Sequence, residues 1–76
     1  MTAFLVVYDR RRLSAEITPF SGDDAVAHAS KARSFLEASN QDRNVEIVTL
    51  FADSLDDLRQ THSRYFINQP RIVQPI

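Results

Sequence analysis

Cysteine is absent from this chain of 76 residues. Its absence excludes disulfides, thiolate metal ligands and cysteine nucleophiles. A chain of this length forms one small domain, which buries only about 60% of the surface that its unfolded state exposes. Because no disulfide can add to this marginal stability, oligomerisation is the usual remaining source of stabilisation. We therefore expect a single domain that associates with itself.

Glycine and histidine are almost as scarce. Gly22 is the only glycine, whereas loops that hold phosphate need several glycines so that backbone amides can approach the anion. We therefore predict no nucleotide site of the usual kinds and no cofactor. The two histidines, His28 and His62, do not have metal-ligand spacing, so no metal site is predicted. The acids of "ADSLDD" are interpreted as the cap and first turn of a helix rather than as magnesium ligands.

An excess of charge of either sign is also missing, because the net charge is -1. A chain with this balance has no overall attraction to nucleic acid or to anionic lipid. The opening segment "MTAFLVVYDRR" has no basic stretch before its apolar run, and that run is too short to cross a membrane. With 43% hydrophobic and 25% charged residues, the composition is typical of a folded soluble domain. We expect a cytoplasmic protein without a membrane partner.

Two strands are predicted at the start of the chain. Residues 3–8 are continuously apolar and rich in β-branched and aromatic side chains, which predicts a central strand covered on both faces. Residues 13–18 alternate between apolar and polar, which predicts a strand that Pro19 closes at a sheet edge. The side chains expected to face inward from this second strand are Leu13, Ala15 and Ile17.

A helix is predicted from about Gly22 to Ser39. Ser21 and Asp24 resemble a capping pair at its start, and Asn40 is the candidate for a left-handed residue at its end. The face expected to pack on a sheet contains Ala25, Ala29, Ala32 and Leu36, with Val26 and Phe35 at its margins.

A third strand and a second helix follow. Residues 45–51 read as a strand, and Asp53 or Ser54 is the predicted cap of the helix after it. A helical crossover makes the third strand parallel to the second, and the sheet order 2-1-3 then places the most apolar strand in the middle. The order 1-2-3 would instead bury the alternating strand. The predicted fold is therefore α+β, with element order ββαβα in residues 1–66 and both helices packed on a three-stranded sheet.

The last ten residues, 67–76, are predicted to form an extended tail. Pro70 and Pro75 exclude a helix in "INQPRIVQPI", and the tail is too apolar to be only solvated. Its apolar residues are Ile72, Val73 and Ile76. They can pair with a sheet edge of their own chain or with that of a second chain. We expect a homodimer in which the tail is exchanged or packs across the interface.

Three consecutive arginines, Arg10, Arg11 and Arg12, follow the first strand in "YDRRRL". The turn has no glycine or asparagine for a tight primed hairpin, which indicates a wider loop that begins at Asp9. The Asp9 carboxylate is expected to accept hydrogen bonds from amides at the base of this loop. We interpret the arginines first as a solvated hairpin end, and second as a contact for phosphate or nucleic acid.

One further group could carry chemistry, in the segment "THSRYF". His62 could act as a general base, with Arg64 binding an anion and Tyr65 orienting a substrate. Our leading hypothesis is a non-enzymatic protein that works by homodimerisation or by binding another protein, through its tail and the uncovered face of its sheet. The alternatives are nucleic-acid binding through Arg10–Arg12 and a small enzyme centred on His62.

Overall fold

Four strands and two α-helices make up the domain in the computed structural model, which describes residues 1–74. The elements in chain order are β1 (Thr2–Asp9), β2 (Ser14–Phe20), α1 (Ala25–Ser39), β3 (Val45–Ala52), α2 (Leu55–Thr61), a 3-10 helix (Ser63–Phe66) and β4 (Arg71–Ile72). This architecture confirms a small α+β domain with one sheet and two α-helices.

The sheet is mixed and has the strand order β3-β1-β2-β4. β1 lies in the middle and pairs antiparallel with both β2 and β3, so the predicted 2-1-3 arrangement is correct. The prediction of only three strands is wrong, because β4 adds a fourth strand parallel to β2. The ladder continues beyond β4, where the Val73 N–H donates to the Ile17 carbonyl at 2.9 Å. A strand of two residues is too short to produce a readable pattern in the sequence.

The two α-helices lie on opposite faces of the sheet. On one face, Ala25 and Ala29 of α1 pack against Ala3 and Phe20. Because neither alanine extends beyond Cβ, α1 lies close to the strands. On the other face, Leu58 of α2 and Tyr65 pack into a larger core, whose buried strand residues are Phe4, Val6, Tyr8, Ala15 and Ile17. Both faces of β1 are therefore buried, as its continuous apolar run predicts.

The β1–β2 hairpin differs from prediction at both ends of β2. Leu13 lies in the turn with φ of 53° and is 41% exposed, so its predicted inward position is wrong. A left-handed conformation costs a residue with a Cβ about 1–2 kcal/mol, and this turn has no glycine to avoid that cost. Pro19 lies within β2 rather than ending it, opposite Phe4. The antiparallel ladder directs the nitrogen of Pro19 away from β1, so its missing N–H leaves no gap there.

The caps of α1 are not those that the sequence suggests. Asp24 occupies the N-cap without a side-chain hydrogen bond, and Ser21 lies outside the helix, so the predicted capping pair is wrong. Gly22 turns the chain instead, with φ of 96°. At the other end Asn40 has φ of -80° and is not left-handed. Its side-chain oxygen accepts the Asp42 N–H at 3.1 Å, which ends the helix with an Asx turn.

The cap of α2 agrees with the sequence. The Ser54 hydroxyl accepts the Asp57 N–H at 3.1 Å, and two acids lie in the first turn. The helix ends at Thr61, with His62 as its C-cap, and the chain tightens into the 3-10 helix. Leu58 of α2 and Tyr65 of the 3-10 helix are both buried in one core, because both elements pack on the same side of the sheet.

Candidate functional site

The arginine turn is held from both sides. Asp9 Oδ1 accepts the N–H groups of Arg11 at 2.9 Å and Arg12 at 3.3 Å, which confirms a loop anchored on the Asp9 carboxylate. From the C-terminal part of the chain, the Asn68 amide donates to the carbonyls of Arg12 and Leu13, both at 3.1 Å. The turn is therefore tied to the segment that leads into β4.

Each guanidinium group of the turn lies near a different carboxylate, and those of Arg10 and Arg11 form hydrogen bonds with theirs. Arg10 pairs with Glu46 at 3.3 Å, Arg11 with Asp42 at 2.5 Å, and Arg12 approaches Asp9 at 3.9 Å. A backbone hydrogen bond from Asn44 and the charge of Arg11 lower the pKa of Asp42, so that acid stays ionised. The arginines therefore do not form a separate patch of free positive charge. The nucleic-acid hypothesis stays a prediction, and this geometry does not favour it.

The most densely bonded polar group in the described chain is the Glu46 cluster, which consists of Glu46, Arg64, Tyr65 and Arg10. The Glu46 side chain is only 15% exposed. Its oxygens accept Arg64 Nη2 at 2.7 and 2.6 Å and the Tyr65 hydroxyl at 2.7 Å. Burial alone would raise the pKa of Glu46, but the hydrogen bonds from Tyr65 and Arg64 outweigh it and lower that pKa. Glu46 therefore stays an anion.

Aromatic rings support the Glu46 cluster. Tyr65 is buried and meets Tyr8 edge to face at 5.1 Å between ring centroids, while the Arg64 guanidinium lies 4.5 Å from the centre of the Tyr65 ring. The His62 ring stacks beside Tyr65 at 6.5 Å, and its Nδ1 is 2.9 Å from the Thr61 hydroxyl. Burial and the hydrogen bond to Glu46 raise the pKa of Tyr65.

The sequence-predicted catalytic candidates are thus neighbours, but two of them are already engaged. Arg64 and Tyr65 both bind Glu46, a residue that the sequence analysis did not single out. The sequence feature that could have indicated Glu46 is that it is the only charged residue in a mostly apolar strand. The enzyme hypothesis stays a prediction, and its candidate base His62 has no hydrogen bond to an acid among residues 1–74.

A groove of about 390 Å³ lies at the hairpin end of the face that α1 covers. We call it the hairpin groove. It forms because α1 packs at the Ala3–Phe20 end and leaves the opposite end of this face open. The residues lining the groove are Val7, Asp9, Arg12, Ser14, Ala15, Glu16, Val45, Gln69 and Arg71. None of His62, Arg64 and Tyr65 belongs to this lining.

The outer side of β3, from Ile47 to Phe51, is the second open feature, which we call the β3 edge. The Arg10 N–H donates to the Asn44 carbonyl at 2.9 Å, in register with the β1–β3 ladder. Antiparallel ladders alternate, so the even residues of β3 bond β1 while Ile47, Thr49 and Phe51 direct their N–H and C=O groups outward. No backbone partner reaches these three residues from the rest of residues 1–74.

The apolar tail is partly used within its own chain. Ile72 pairs with Ile17 of β2, and Val73 extends that ladder. Ile76, the third apolar residue of the predicted tail interface, lies outside the described residues. Exchange of the tail between chains therefore stays a prediction. Because the tail pairs with β2 of its own chain, it does not need a second chain to form a strand.

Two further features are absent from the described residues. Among residues 1–74 no three histidine, cysteine or acidic side chains cluster closely enough to hold a metal ion. In the same segment, no helix has both the length and the apolar character needed to cross a membrane.

No protein family matches the sequence, and neither a curated protein nor a solved structure shows significant similarity to it. The residues and surfaces described above are therefore the basis for a functional interpretation.

Proposed function

We propose that this protein is a non-enzymatic association module that forms a homodimer by pairing the β3 edges of two copies. The observation that carries the proposal is the row of unpaired backbone groups on Ile47, Thr49 and Phe51. A row of this kind is a ready template for a further strand. A dimer also supplies the stabilisation that a domain of this size lacks when it has no disulfide.

The two edges of the sheet differ in the devices that normally prevent strand pairing. At the β4 edge, the strand has two residues, follows Pro70 and contains the charged Arg71. Short strands, proline and charge are the usual means of blocking an edge. β3 has eight residues, no proline and no lysine or arginine. Its only charge, Glu46, is turned into the Glu46 cluster. Of the two edge strands, only β3 lacks these means of blocking strand pairing. This difference favours a specific use for the β3 edge.

The occupant that best fits the β3 edge is a second copy of β3. An antiparallel copy related by a two-fold axis at Thr49 places Ile47 opposite Phe51 on both sides of the axis. Aliphatic and aromatic side chains form favourable cross-strand pairs, and no charges of like sign meet. Phe51 is 47% exposed in the single chain, so this pairing buries apolar surface that is now in water.

The centre of the edge has an unmatched polar group. Thr49 Oγ1 is buried and has no hydrogen-bond partner among residues 1–74. In the proposed register Thr49 faces Thr49 of the second copy, and paired threonines across antiparallel strands can bond through their hydroxyls. The dimer therefore offers this group a partner at the position where the single chain offers none.

Sedimentation equilibrium of wild type and a Phe51→Lys variant tests the proposal. We expect wild type to dimerise reversibly and the lysine to raise the dimer dissociation constant at least about tenfold, because a charge at the strand edge opposes pairing. Phe35→Lys is the matched control, since it places the same charge on a phenylalanine that is 74% exposed and belongs to α1 rather than to β3. The control should dimerise like wild type.

A third variant separates this interface from one made by the tail. Ile72→Lys introduces the same charge into β4, where Ile72 is 40% exposed. The proposal requires this variant to remain dimeric. A wild-type chain that stays monomeric at every concentration would refute it, and so would a dimer that is disrupted by Ile72→Lys but not by Phe51→Lys.

A further inference from the structure

The hairpin groove combines an apolar floor with two guanidinium groups. Val7 and Val45 are half-buried and supply the aliphatic surface, while Arg12 and Arg71 line the same groove. Its volume of about 390 Å³ is within the range in which proteins hold small molecules. Three of the nine lining residues, Val7, Ala15 and Val45, are apolar, and small-molecule sites commonly place a few charged groups beside such a surface.

Arg12 and Arg71 are the least committed of the arginines that form ion pairs. Arg12 is 3.9 Å from Asp9, and Arg71 is 3.5 Å from Glu16. The other five pairs in residues 1–74 span 2.5 to 3.3 Å. The side chains of Arg12 and Arg71 are also the most exposed of the paired arginines, at 83% and 77%. Both guanidinium groups therefore keep donors available for a ligand.

The two acids of the hairpin groove, Asp9 and Glu16, leave the two guanidinium groups able to bind an anion. Asp9 Oδ1 is occupied by two backbone N–H groups of the turn, so much of its hydrogen-bonding capacity is used. Glu16 is half-exposed and contacts Arg71 only through the 3.5 Å pair, which a ligand carboxylate could replace. A ligand anion would form shorter, charge-assisted bonds with the two guanidinium groups than these acids do.

We propose that the hairpin groove binds a small organic carboxylate with a short aliphatic chain. The chain lies on Val7 and Val45, and the carboxylate accepts hydrogen bonds from Arg12 and Arg71. Guanidinium groups suit carboxylates because their planar forks match the two oxygens. This inference does not depend on the proposed dimer, because Arg12 lies in the β1–β2 turn and Arg71 in β4, and neither belongs to the β3 edge.

Titration with sodium hexanoate, followed by amide NMR shifts, tests this site. We expect saturable shifts at Val7, Ser14 and Val45, and no comparable saturation with hexan-1-ol or hexylammonium chloride. The double variant Arg12→Gln, Arg71→Gln should weaken hexanoate binding by at least about fivefold. The matched control Arg33→Gln removes an ion-paired arginine on α1 that does not line the groove, and this variant should bind hexanoate as wild type does.

A variant that we expect to strengthen hexanoate binding separates a direct effect on the site from loss of binding through misfolding. Glu16→Gln removes the acid that competes for Arg71, so the dissociation constant of hexanoate should fall at least about twofold. The proposal is overturned if hexanoate causes no saturable shifts in the groove, if hexylammonium binds equally well, or if Glu16→Gln weakens binding.

Discussion

The Leu58→Ala variant should lose about 2–5 kcal/mol of unfolding free energy, the largest effect that we expect from a single side chain. Leu58 is completely buried in the core between α2 and the sheet. Its truncation removes apolar contacts and leaves a cavity that the surrounding strands cannot fully close. A domain of this size has a total stability of roughly 4–11 kcal/mol, so this loss is a large fraction of the whole. Urea unfolding followed by circular dichroism measures it.

Leu55→Ala is the matched control for this prediction. It makes the same substitution one turn earlier in α2, where the side chain is 37% exposed. The loss should be smaller, about 1–2 kcal/mol, because Leu55 buries less apolar surface than Leu58. Equal losses in the two variants would contradict the packing of α2 described here, in which Leu58 is the buried contact.

The second large effect is expected from Glu46→Gln, which should lower the unfolding free energy by about 2 kcal/mol. The amide keeps the shape of the side chain but removes the charge that Arg64 and Arg10 bind. It also replaces an oxygen with an NH2 group that cannot accept the Tyr65 hydroxyl or the Arg64 guanidinium. Glu37→Gln is the control, since its exposed pair with Arg33 should contribute less than about 1 kcal/mol.

The same variant changes the response to acid. The pKa of Glu46 is lower in the folded protein than its ordinary value, so the folded state favours the ionised carboxylate. Its contribution is present above the ordinary carboxyl pKa of about 4.3 and is lost as the pH falls through the lower folded value. Wild type should therefore lose stability below about pH 4.5, and Glu46→Gln should lose less. The pKa values of Asp42 and Asp56 are also lowered, so the variant keeps part of the acid response. A variant whose acid response is as steep as that of wild type would contradict this role for Glu46.

The central part of the fold could be predicted because hydrophobic patterning extends over whole elements. The continuous apolar run of β1 indicates burial on both faces, and the crossover through α1 then determines the direction of β3. The errors occur where the outcome depends on one or two residues. Leu13 takes a left-handed conformation that its side chain disfavours, and β4 pairs through only two residues. Tertiary contacts decide such positions, and local preference does not reveal them.

The site was less predictable than the fold. The sequence identified Arg10, Arg64 and Tyr65 as chemically interesting, but it gave no indication that Glu46 binds all three. The hairpin groove joins Arg12 from the turn with Arg71 from the tail, residues far apart in the chain. Its formation depends on the parallel pairing of β4 with β2, which the sequence pattern does not show. Long-range pairing of charged side chains leaves no periodic signal.

Amide hydrogen exchange along β3 tests the proposed dimer most directly, because the exposed N–H groups are the interface itself. In a single chain the amides of Ile47, Thr49 and Phe51 point away from β1, while those of Val48 and Leu50 bond it and serve as internal references. We expect the three outward amides to exchange at least about tenfold more slowly at high protein concentration than at low concentration. The two reference amides should be protected at both. Fast exchange of Ile47, Thr49 and Phe51 at every concentration would contradict pairing through the β3 edge.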